Sequence, residues 1–503
     1  MPTGRNEDRT ILMILVIFVL AFRLFTLQMI NEGPDEIDYW FSAVRLADSL
    51  PYPELTHRTV RWPIIVPTML FAIPVGFHPI GYYIGPILLS LLQTVVLFNW
   101  LRGERASTGA AVIAVFLLTA FPYMMREGSQ VRPEIYSPTY MLLAWAALWR
   151  WFREQERSAF LYLSALALFV AYLTKVTNLY FLPAMAWLIW QRGRSIKPLL
   201  EFGAFLLLLY LVEHAAYWLL AGESLGRLGI IASNHLTSDY MSEEPGGFFS
   251  LFVRYRFDRF QPVYWVFYLG AFAAWFVDRR NERNGLVHGM GVLLITFMIC
   301  ITFAVKSIDP IVPVEDYINR YFSATLPLVF GMIALVAWPR LQRIGLLDRL
   351  LEEPRPLAAL VSAGMIALVA ISVIPLGPVR HYLTPINRLS THPMARFVSY
   401  VGLVEEGIEE ERLFVSVDEP DGWNSKGLDT VNRVFLDYVN GSKPERERRA
   451  VITEAYRIDY LLPPTGDIRL TAGTEVLYVR REPLRLSRTT LGEVEMLEGI
   501  TWD

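Results

Sequence analysis

Long apolar segments recur along this chain and constrain its fold more than any other feature. Each has roughly 15 to 25 residues, the length that a helix needs to cross a bilayer. They lie at 11–30, 80–100, 108–125, 136–151, 158–174, 177–191, 198–221, 261–277, 286–305, 321–338 and 356–376. With 53% hydrophobic and 19% charged residues, the composition fits helices surrounded by lipid. The sequence therefore predicts a mainly α, polytopic membrane protein of about 11 transmembrane helices.

The connections between these segments indicate how the helices are oriented. Every second connection is short and basic, as in LRGER, RWFREQER, QRGRSIK, DRRNER and PRLQR. The positive-inside rule places these turns and the N-terminus in the cytoplasm. We interpret 11–30 as an uncleaved span, because it has full span length and no small-x-small cleavage site follows it. The expected location is the plasma (inner) membrane of a bacterium or archaeon.

Two regions depart from this pattern. Residues 63–77 are apolar but short and interrupted by prolines, and counting them as a span would invert every later basic turn. We interpret them as a juxtamembrane helix on the outer face. After residue 376, charged runs and the strand-like segments RLFVSV, IDYLLPP and EVLYVRR alternate with helical patterns such as LDTVNRVFLDYV. The predicted domains are a transmembrane domain at 1–376 and an extracytoplasmic soluble α/β domain at 377–503.

Several function classes lack support in the sequence. A net charge of −3 provides no overall basic field for nucleic acid, so no nucleic-acid partner is expected. Cys300 is the single cysteine and cannot form an intrachain disulfide. The chain has no glycine-rich phosphate loop, no GxSxG and no HExxH, and its 7 histidines do not show ligand spacing. We therefore expect no cofactor and no metal site.

The stretch NEGPDEIDYW follows the first apolar segment and presents three carboxylates, Asp35, Glu36 and Asp38. These acids could mark a helix N-terminus or keep an outer loop acidic. Alternatively, one of them could act as a general base at the interface, where the amphipathic stretch DYWFSAVRLADSL would lie on the membrane surface.

Three further charged groups lie at the outer ends of predicted spans. Arg132 and Glu134 belong to the next acidic loop, MREGSQVRPEIYSP, which is either a site or a solvated, salt-bridged turn. Lys175 lies between two spans, where it could snorkel to the interface or hold a phosphate. Arg320 and Tyr321 end a later outer loop and could be ordinary interfacial anchors.

Other charged residues on the predicted outer side run against the positive-inside trend: Arg58, Arg61, Arg254, Arg256 and Arg259. They would contact anionic lipid or phosphate, or merely anchor the chain at the headgroups. Glu213 and His214 form the only adjacent ionisable pair inside a predicted span, either as a structural pair or as a cavity lining.

Together, these motifs resemble the GT-C superfamily of membrane glycosyltransferases, in particular the protein O-mannosyltransferases and the aminoarabinose transferase that modifies lipid A. In that branch an Asp-Glu pair opens the first outer loop, as Asp35 and Glu36 do in GPDEIDYW. A basic residue precedes a proline-rich juxtamembrane helix, as Arg61 does in VRWPIIVPTMLFAIPVGF. An RY…P segment precedes a late span, as in NRYFSATLPLVFG.

The resemblance covers roughly residues 10 to 340, and the chain departs from it at two points. The proline pair that usually follows the basic residue is reduced to Trp62-Pro63. The RPE of the second acidic loop is more similar to the mannosyltransferases of lipid-linked oligosaccharide and GPI assembly.

This resemblance implies inverting transfer of a sugar from a polyprenyl-phosphate donor to an extracytoplasmic glycan, lipid or protein acceptor. Asp35 would be the general base, with Glu36 as the second member of the catalytic pair. Arg132 and Glu134 would orient the acceptor or the sugar. Four residues would bind the donor phosphate: Arg61, Lys175, Arg320 and Tyr321. The competing interpretations are a transporter or flippase of lipid-linked glycans, and a catalytically inactive scaffold.

Overall fold

A computed structural model describes most of the N-terminal two thirds of the chain. The described residues are 3–27, 34–47, 55–74, 79–154, 157–193, 195–236, 262–278, 285–308, 311–313, 319–342 and, in the tail, 413–414, 475–480 and 485–490. The chain divides into two compact units. The first comprises Met1–Thr26, Val60–Ile64 and Pro86–Leu383, and the second comprises Leu27–Thr59, Ile65–Gly85 and Thr384–Asp503.

Helices account for nearly all of the described N-terminal part. The α-helices are α1 (Thr3–Phe25), α2 (Pro34–Ala47), α3 (Trp62–Ala72), α4 (Pro79–Gly103), α5 (Thr108–Ala120), α6 (Pro122–Glu127), α7 (Pro133–Arg153), α8 (Ser158–Thr174), α9 (Leu182–Gly193), α10 (Lys197–Ala221), α11 (Gly226–Leu236), α12 (Pro262–Asp278), α13 (Gly285–Phe303) and α14 (Leu326–Gln342). The 3₁₀ helices Val176–Phe181 and Asn319–Thr325 precede α9 and α14. Strands β1 (Val305–Ile308) and β2 (Ile311–Pro313) form an antiparallel hairpin after α13.

The helices agree with the predicted pattern of apolar segments. Each of the first ten segments overlaps a helix, and the eleventh, 356–376, lies outside the described residues. Among the described helices, four are long and apolar enough to cross a membrane: Gly81–Gly103, Lys197–Leu219, Gly285–Phe303 and Arg320–Arg340. Shorter apolar helices are Trp62–Ala72, Thr108–Ala120, Ser158–Thr174 and Trp265–Asp278. A mainly helical membrane protein is confirmed, and the count of about 11 spans stays a prediction.

Two glycines allow close contact between helices of the first unit. On α5, a Cβ atom added to Gly109 would overlap the buried indole of Trp338 on α14. On α13, a Cβ at Gly289 would overlap the indole of Trp149 on α7. Small residues that admit a large partner are typical of helix packing in membranes. These contacts hold α5 against α14 and α13 against α7.

Polar contacts join the ends of α1, α4, α5 and α7 at one end of the first unit. Asp8 accepts hydrogen bonds from the Arg102 guanidinium at 2.8 Å and from the Thr108 hydroxyl at 3.1 Å. Arg153 pairs with Glu104 at 3.1 Å. The basic turns LRGER and RWFREQER therefore meet at this end, which we call the basic end.

The second unit contains α2 and the described strands of the tail. Strand β3 (Leu413–Phe414) pairs in parallel with β4 (Glu475–Arg480), and β4 pairs antiparallel with β5 (Arg485–Thr490). Strands β3 and β4 fall within the predicted segments RLFVSV and EVLYVRR, whereas β5 was not predicted. The segments IDYLLPP and LDTVNRVFLDYV lie outside the described residues. The α/β class of the tail therefore stays a prediction.

Helices also form at the two positions expected to lie on the outer membrane face. Helix α2 covers most of the amphipathic stretch after NEG, and α3 covers the proline-rich segment up to Ala72. Pro67 lies inside α3 without ending it. Their location at the membrane face stays a prediction.

Candidate functional site

The acidic stretch of the second unit begins a helix. Pro34 is the first residue of α2, so Asp35 and Glu36 lie in its first turn, where the helix dipole stabilises negative charge. The structure therefore supports the alternative that these acids mark a helix N-terminus. Glu36 is buried, whereas the side chain of Asp35 lies outside the described atoms. The role of Asp35 as a base stays a prediction.

The third acid of this stretch forms an ion pair within the second unit. Asp38 is buried, and its Oδ2 lies 2.8 Å from Nη1 of Arg58. The Ser42 hydroxyl donates to the backbone carbonyl of Asp38 at 2.6 Å. Arg58 therefore neutralises Asp38.

In the first unit, two residues assigned to different roles form a buried ion pair. Glu134 lies in the first turn of α7, after Pro133 at the first helical position. Lys175 directly follows α8, which packs on α7, and has an extended backbone with φ −155° and ψ 120°. The Lys175 Nζ donates to Glu134 Oε1 at 3.3 Å. The pair forms because the N-terminus of α7 meets the C-terminus of α8.

The 3₁₀ helix before α14 adds two residues to this pair. Lys175 Nζ donates to the carbonyl of Arg320 at 2.7 Å and lies 4.3 Å from the centre of the Tyr321 ring. The Arg320 guanidinium donates to the Tyr321 hydroxyl at 3.0 Å. Tyr321 thus contacts both cations, while the Arg320 side chain is exposed.

The second acidic loop is salt-bridged, as one alternative expected, but it is not solvated. Arg132 Nη1 lies 3.2 Å from Oε2 of Glu127, and the Glu127 side chain is only 1% exposed. Arg132 therefore neutralises a carboxylate inside the protein at the start of α7.

The charges around Glu134 act together on its ionisation. Burial raises the pKa of this carboxyl. The charges of Lys175, Arg320, Arg132 and Arg61 together lower it by more than burial raises it, so the pKa lies below its usual value. Glu134 is therefore ionised at neutral pH. We call Arg61, Arg132, Glu134, Lys175, Arg320 and Tyr321 the Glu134 cluster. Because Arg132 is paired with Glu127, three other cations (Arg61, Lys175 and Arg320) act on the single charge of Glu134, and this excess of positive charge favours binding of a further anion.

Sequence reasoning missed two polar residues beside this cluster. Ser137 lies one turn after Glu134, and Asn178 lies in the 3₁₀ helix after Lys175. Their side chains are hydrogen-bonded, with the Asn178 amide nitrogen 2.8 Å from the Ser137 hydroxyl. The sequence could have indicated Asn178, because it belongs to the polar stretch KVTN within an otherwise apolar region.

The ionisable pair inside α10 also has a structural explanation. Glu213 Oε1 lies 2.6 Å from Nε of Arg227 on α11. The Arg227 guanidinium also donates to the carbonyls of Tyr172 and Leu173 at the end of α8. Glu213 is therefore a structural partner of Arg227, which the sequence did not single out. Among the described residues, no group of three or more His, Cys, Asp or Glu side chains could hold a metal ion.

No family model and no curated protein matches this sequence. The fold is similar to solved structures of two membrane enzymes. ArnT from Cupriavidus metallidurans, bound to undecaprenyl phosphate, matches with a TM-score of 0.48 and 15% identity over 86% of this chain and 85% of that chain. The archaeal oligosaccharyltransferase AglB from Archaeoglobus fulgidus, in complex with an inhibitory peptide and a dolichol-phosphate, matches with a TM-score of 0.42 and 12% identity over 93% and 62%.

A second structure of the Archaeoglobus fulgidus oligosaccharyltransferase, in complex with Zn and sulfate, has a TM-score of 0.41 and 13% identity. That match covers 71% of this chain and 52% of the other, so the chain spans about half of that protein. ArnT is a protein of the kind that the sequence resembles, and the family of this chain stays a prediction. At these identities the matches assign no role to any residue of this chain.

Proposed function

We propose that this protein is an integral membrane glycosyltransferase of the GT-C type. It transfers a sugar from a polyprenyl-phosphate donor to an extracytoplasmic glycan, lipid or protein acceptor, with inversion at the anomeric carbon. The observation that carries this proposal is the buried ion pair of Lys175 with Glu134, 3.3 Å apart, whose ammonium also contacts the Arg320 carbonyl and the Tyr321 ring.

The Glu134 cluster suits a phosphate that gains charge during the reaction. When the bond between the anomeric carbon and the phosphate oxygen breaks, the lipid phosphate leaves with an additional negative charge. Fixed cations in a water-poor site stabilise that charge far better than water-exposed cations do. Lys175 is buried and held in place, while Arg320 is exposed and accessible to a ligand.

The position of the cluster along the helices fits a donor held at headgroup depth. Glu134 and Arg153 lie at opposite ends of α7, and a helix of this length extends about 30 Å, the thickness of the hydrocarbon core. Arg153 belongs to the basic end, which the positive-inside rule assigns to the cytoplasm. The Glu134 cluster is then on the extracytoplasmic side.

Asp35 is the proposed general base, with Glu36 as the second member of the catalytic pair. The acceptor hydroxyl oxygen attacks the anomeric carbon from the face opposite the phosphate, and Asp35 takes the hydroxyl proton. One carbon–oxygen bond forms as the other breaks, which inverts the configuration and releases polyprenyl phosphate. Proton transfer by a positioned carboxylate contributes about 100- to 10,000-fold to such a step.

Arg132 and Glu134 are proposed to orient the acceptor or the sugar. Because the pKa of Glu134 is lowered, this carboxylate accepts hydrogen bonds from sugar hydroxyls and does not deliver a proton. Arg132 is already neutralised by Glu127, so it supplies N–H donors without adding much net charge.

A transporter of lipid-linked glycans is the alternative. Transporters use ionisable groups near the middle of the membrane, and Glu213 and His214 were the candidates in the sequence. The ion pair of Glu213 with Arg227 accounts for that carboxylate without transport.

The decisive experiment supplies purified protein in liposomes with a radiolabelled polyprenyl-phosphate sugar and a cell-envelope acceptor fraction. We expect label to move to the acceptor and unlabelled polyprenyl phosphate to be released. Arg61→Ala, Lys175→Ala and Arg320→Ala should each weaken use of this donor. Movement of intact lipid-linked sugar across the bilayer, without cleavage, would overturn the proposal in favour of the transporter. Transfer from a nucleotide sugar that survives in all three variants would reject the lipid donor.

A further inference from the structure

A buried hydrogen-bonded pair joins the two segments that carry Glu134 and Lys175. The Asn178 amide nitrogen donates to the Ser137 hydroxyl at 2.8 Å and to the carbonyl of Ala171 at 2.7 Å. The Ser137 hydroxyl also lies 3.0 Å from the amide oxygen of Asn178. Both side chains are at most 1% exposed. Their contacts therefore form without competition from solvent.

These contacts lie close in sequence to both members of the ion pair. Ser137 lies three residues after Glu134 on α7, on the same helix face. The carbonyl of Ala171 also accepts the backbone N–H of Lys175 at 2.9 Å, and the carbonyl of Lys175 accepts the backbone N–H of Asn178 at 3.0 Å. Asn178 thus holds the turn that contains Lys175 against the first turns of α7.

This restraint matters because it acts on the backbone of Lys175, whereas Glu134, Arg320 and Tyr321 contact only its ammonium. A lysine side chain has a flexible four-carbon stem, and the backbone of Lys175 is extended just after the end of α8. The direction of its Cα–Cβ bond is then set by the turn, not by a continuing helix. Groups that stabilise charge in a reaction must be held within about 0.5 Å of their productive place.

We propose that Ser137 and Asn178 are a pair of positioning residues that fix the Lys175 ammonium beside Glu134 and toward the donor phosphate. This inference rests on the proposed function, because it names what holds one of the phosphate-binding cations. Neither residue contacts the phosphate itself. They act through the backbones of α7 and of the turn after α8.

The same two helices provide a matched control. The Ser164 hydroxyl on α8 donates to the carbonyl of Ala144 on α7 at 2.8 Å, and Ser164 is fully buried. It lies eleven residues before Lys175, or about 16 Å along the helix axis. Ser164→Ala therefore removes a buried hydroxyl from the α7–α8 interface without touching the Lys175 turn.

The first measurement does not depend on activity. Purified Ser137→Ala, Asn178→Ala and Ser164→Ala variants and wild type are pulsed with acetic anhydride, and acetylation of Lys175 is quantified by mass spectrometry. Loss of one buried hydrogen bond should raise the labelling rate of Lys175 about fivefold in the first two proteins. Ser164→Ala should label like wild type. Equal labelling of Lys175 in Ser137→Ala, Ser164→Ala and wild type would overturn the proposal.

The second measurement separates positioning from general destabilisation. In Ser137→Ala, the KM for the polyprenyl-phosphate sugar should rise about three- to tenfold, while the KM for the acceptor is unchanged. Ser164→Ala should change neither KM even if its thermal midpoint falls equally. Equal KM changes in the two serine variants would contradict positioning.

Failure of the proposed function can be distinguished from failure of the positioning role of Ser137 and Asn178. If wild type transfers no sugar from any polyprenyl-phosphate donor, the proposed function fails, and the acetylation comparison still decides whether the pair positions Lys175. Ser137→Ala removes a single oxygen atom, so it decides the question even if Asn178→Ala does not fold.

Discussion

Glu134 and Lys175 lie 3.3 Å apart in the folded protein, although 41 residues separate them in the chain. Both are buried, so neither charge is stabilised by bulk water. Each also lies at the helix end that its charge favours, the carboxylate at an N-terminus and the ammonium at a C-terminus. The pair thus holds two antiparallel helices together and keeps a cation fixed at one end of the first unit.

Removing one member of this pair should destabilise the folded protein more than removing both. Lys175→Met leaves a buried carboxylate with one fewer cation, and breaking such a pair typically costs about 3 to 5 kcal/mol. Glu134→Gln in the same protein removes the remaining charge. We expect the thermal midpoint of the double variant to lie above that of Lys175→Met, measured by fluorescence-monitored unfolding in detergent.

The control for this comparison is Lys197→Met with Glu201→Gln, an exposed pair on α10. Exposed pairs contribute about 0 to 1 kcal/mol, so its single and double variants should unfold close to wild type. A double variant at the buried pair that is less stable than Lys175→Met would contradict the prediction.

The lowered pKa of Glu134 predicts a specific dependence on pH. Because the folded state lowers this pKa below the usual 4.5, the pair contributes stability above the unfolded pKa. That contribution is lost as pH falls through the lower, folded pKa. The contribution of Glu134 to ligand binding should therefore be constant from pH 8 down to the usual pKa of 4.5 and should change only in more acidic buffer.

Binding of undecaprenyl phosphate to wild type and to Glu134→Gln, measured across this range by native mass spectrometry, tests that dependence. The ligand phosphate titrates equally in both proteins, so the difference between the two curves isolates Glu134. A change in that difference between pH 6 and 8 would show that the carboxyl is not ionised as the cluster requires.

The apolar pattern predicted most of the helices because the length of an apolar run determines whether it can cross lipid. The motifs also indicated the residues of the Glu134 cluster, since Arg61 precedes the predicted juxtamembrane helix and the others lie at outer ends of predicted spans. Proximity of Glu134 and Lys175 follows from antiparallel neighbours α7 and α8. The direct contact between them was not predicted, because Glu134 was assigned to orient the acceptor or the sugar and Lys175 to bind the donor phosphate.

Contacts made by buried polar side chains could not be predicted in the same way. Arg58 with Asp38, Ser137 with Asn178, and Arg227 with the end of α8 depend on the rotation of each element about its axis. A single sequence indicates which face of a helix is apolar, but it does not indicate which polar side chains of two neighbouring helices contact each other. Sequence reasoning therefore found the charged end of the first unit and missed the contacts that fix it.

Arg227 should be required for folding and not for chemistry. Arg227→Ala leaves the partly buried Glu213 without its cation and the carbonyls of Tyr172 and Leu173 without their donor, which should cost up to about 3 kcal/mol. Arg227→Lys should rescue little, because an ammonium lacks the planar fork that reaches several acceptors. Unfolding midpoints and the yield of folded protein measure both effects.

Paired removal separates this structural role from transport. In Arg227→Leu with Glu213→Leu, stability should largely return, and the fraction that folds should transfer sugar at the wild-type rate. Complete loss of activity in stable double-variant protein would assign Glu213 a functional role instead.

The topology prediction places the turn after α10 outside the cell and the turn before it inside. Ser224 and Ser195 are both exposed, so each can report accessibility once changed to cysteine in a Cys300→Ala background. In intact cells, Ser224→Cys should react with an impermeant maleimide and Ser195→Cys should be protected until lysis. The reverse pattern would place the Glu134 cluster in the cytoplasm. Ser42 is unsuitable for this purpose because it is buried and bonded to Asp38.

Asp35→Asn is the sharpest test of the proposed mechanism. The substitution keeps the shape of the first turn of α2 and loses about 0.3 to 1 kcal/mol of interaction with the helix dipole, so the fold should persist. An amide cannot accept the acceptor proton, and transfer should fall about 100- to 10,000-fold. The measurement is sugar transfer by purified variants, with binding of the polyprenyl-phosphate donor assayed separately.

The control for Asp35→Asn must be an acid whose loss leaves the structure unchanged, and Asp38 does not qualify, because Asp38→Asn would break its 2.8 Å ion pair with Arg58. Glu154 at the basic end is suitable, since it pairs with arginines at the surface and its side chain is 37% exposed. Glu154→Gln should change turnover by less than twofold, as expected where an exposed pair contributes about 0 to 1 kcal/mol. If Asp35→Asn retains turnover close to that of Glu154→Gln while binding donor normally, Asp35 is a helix N-terminal acid and the base must be sought elsewhere.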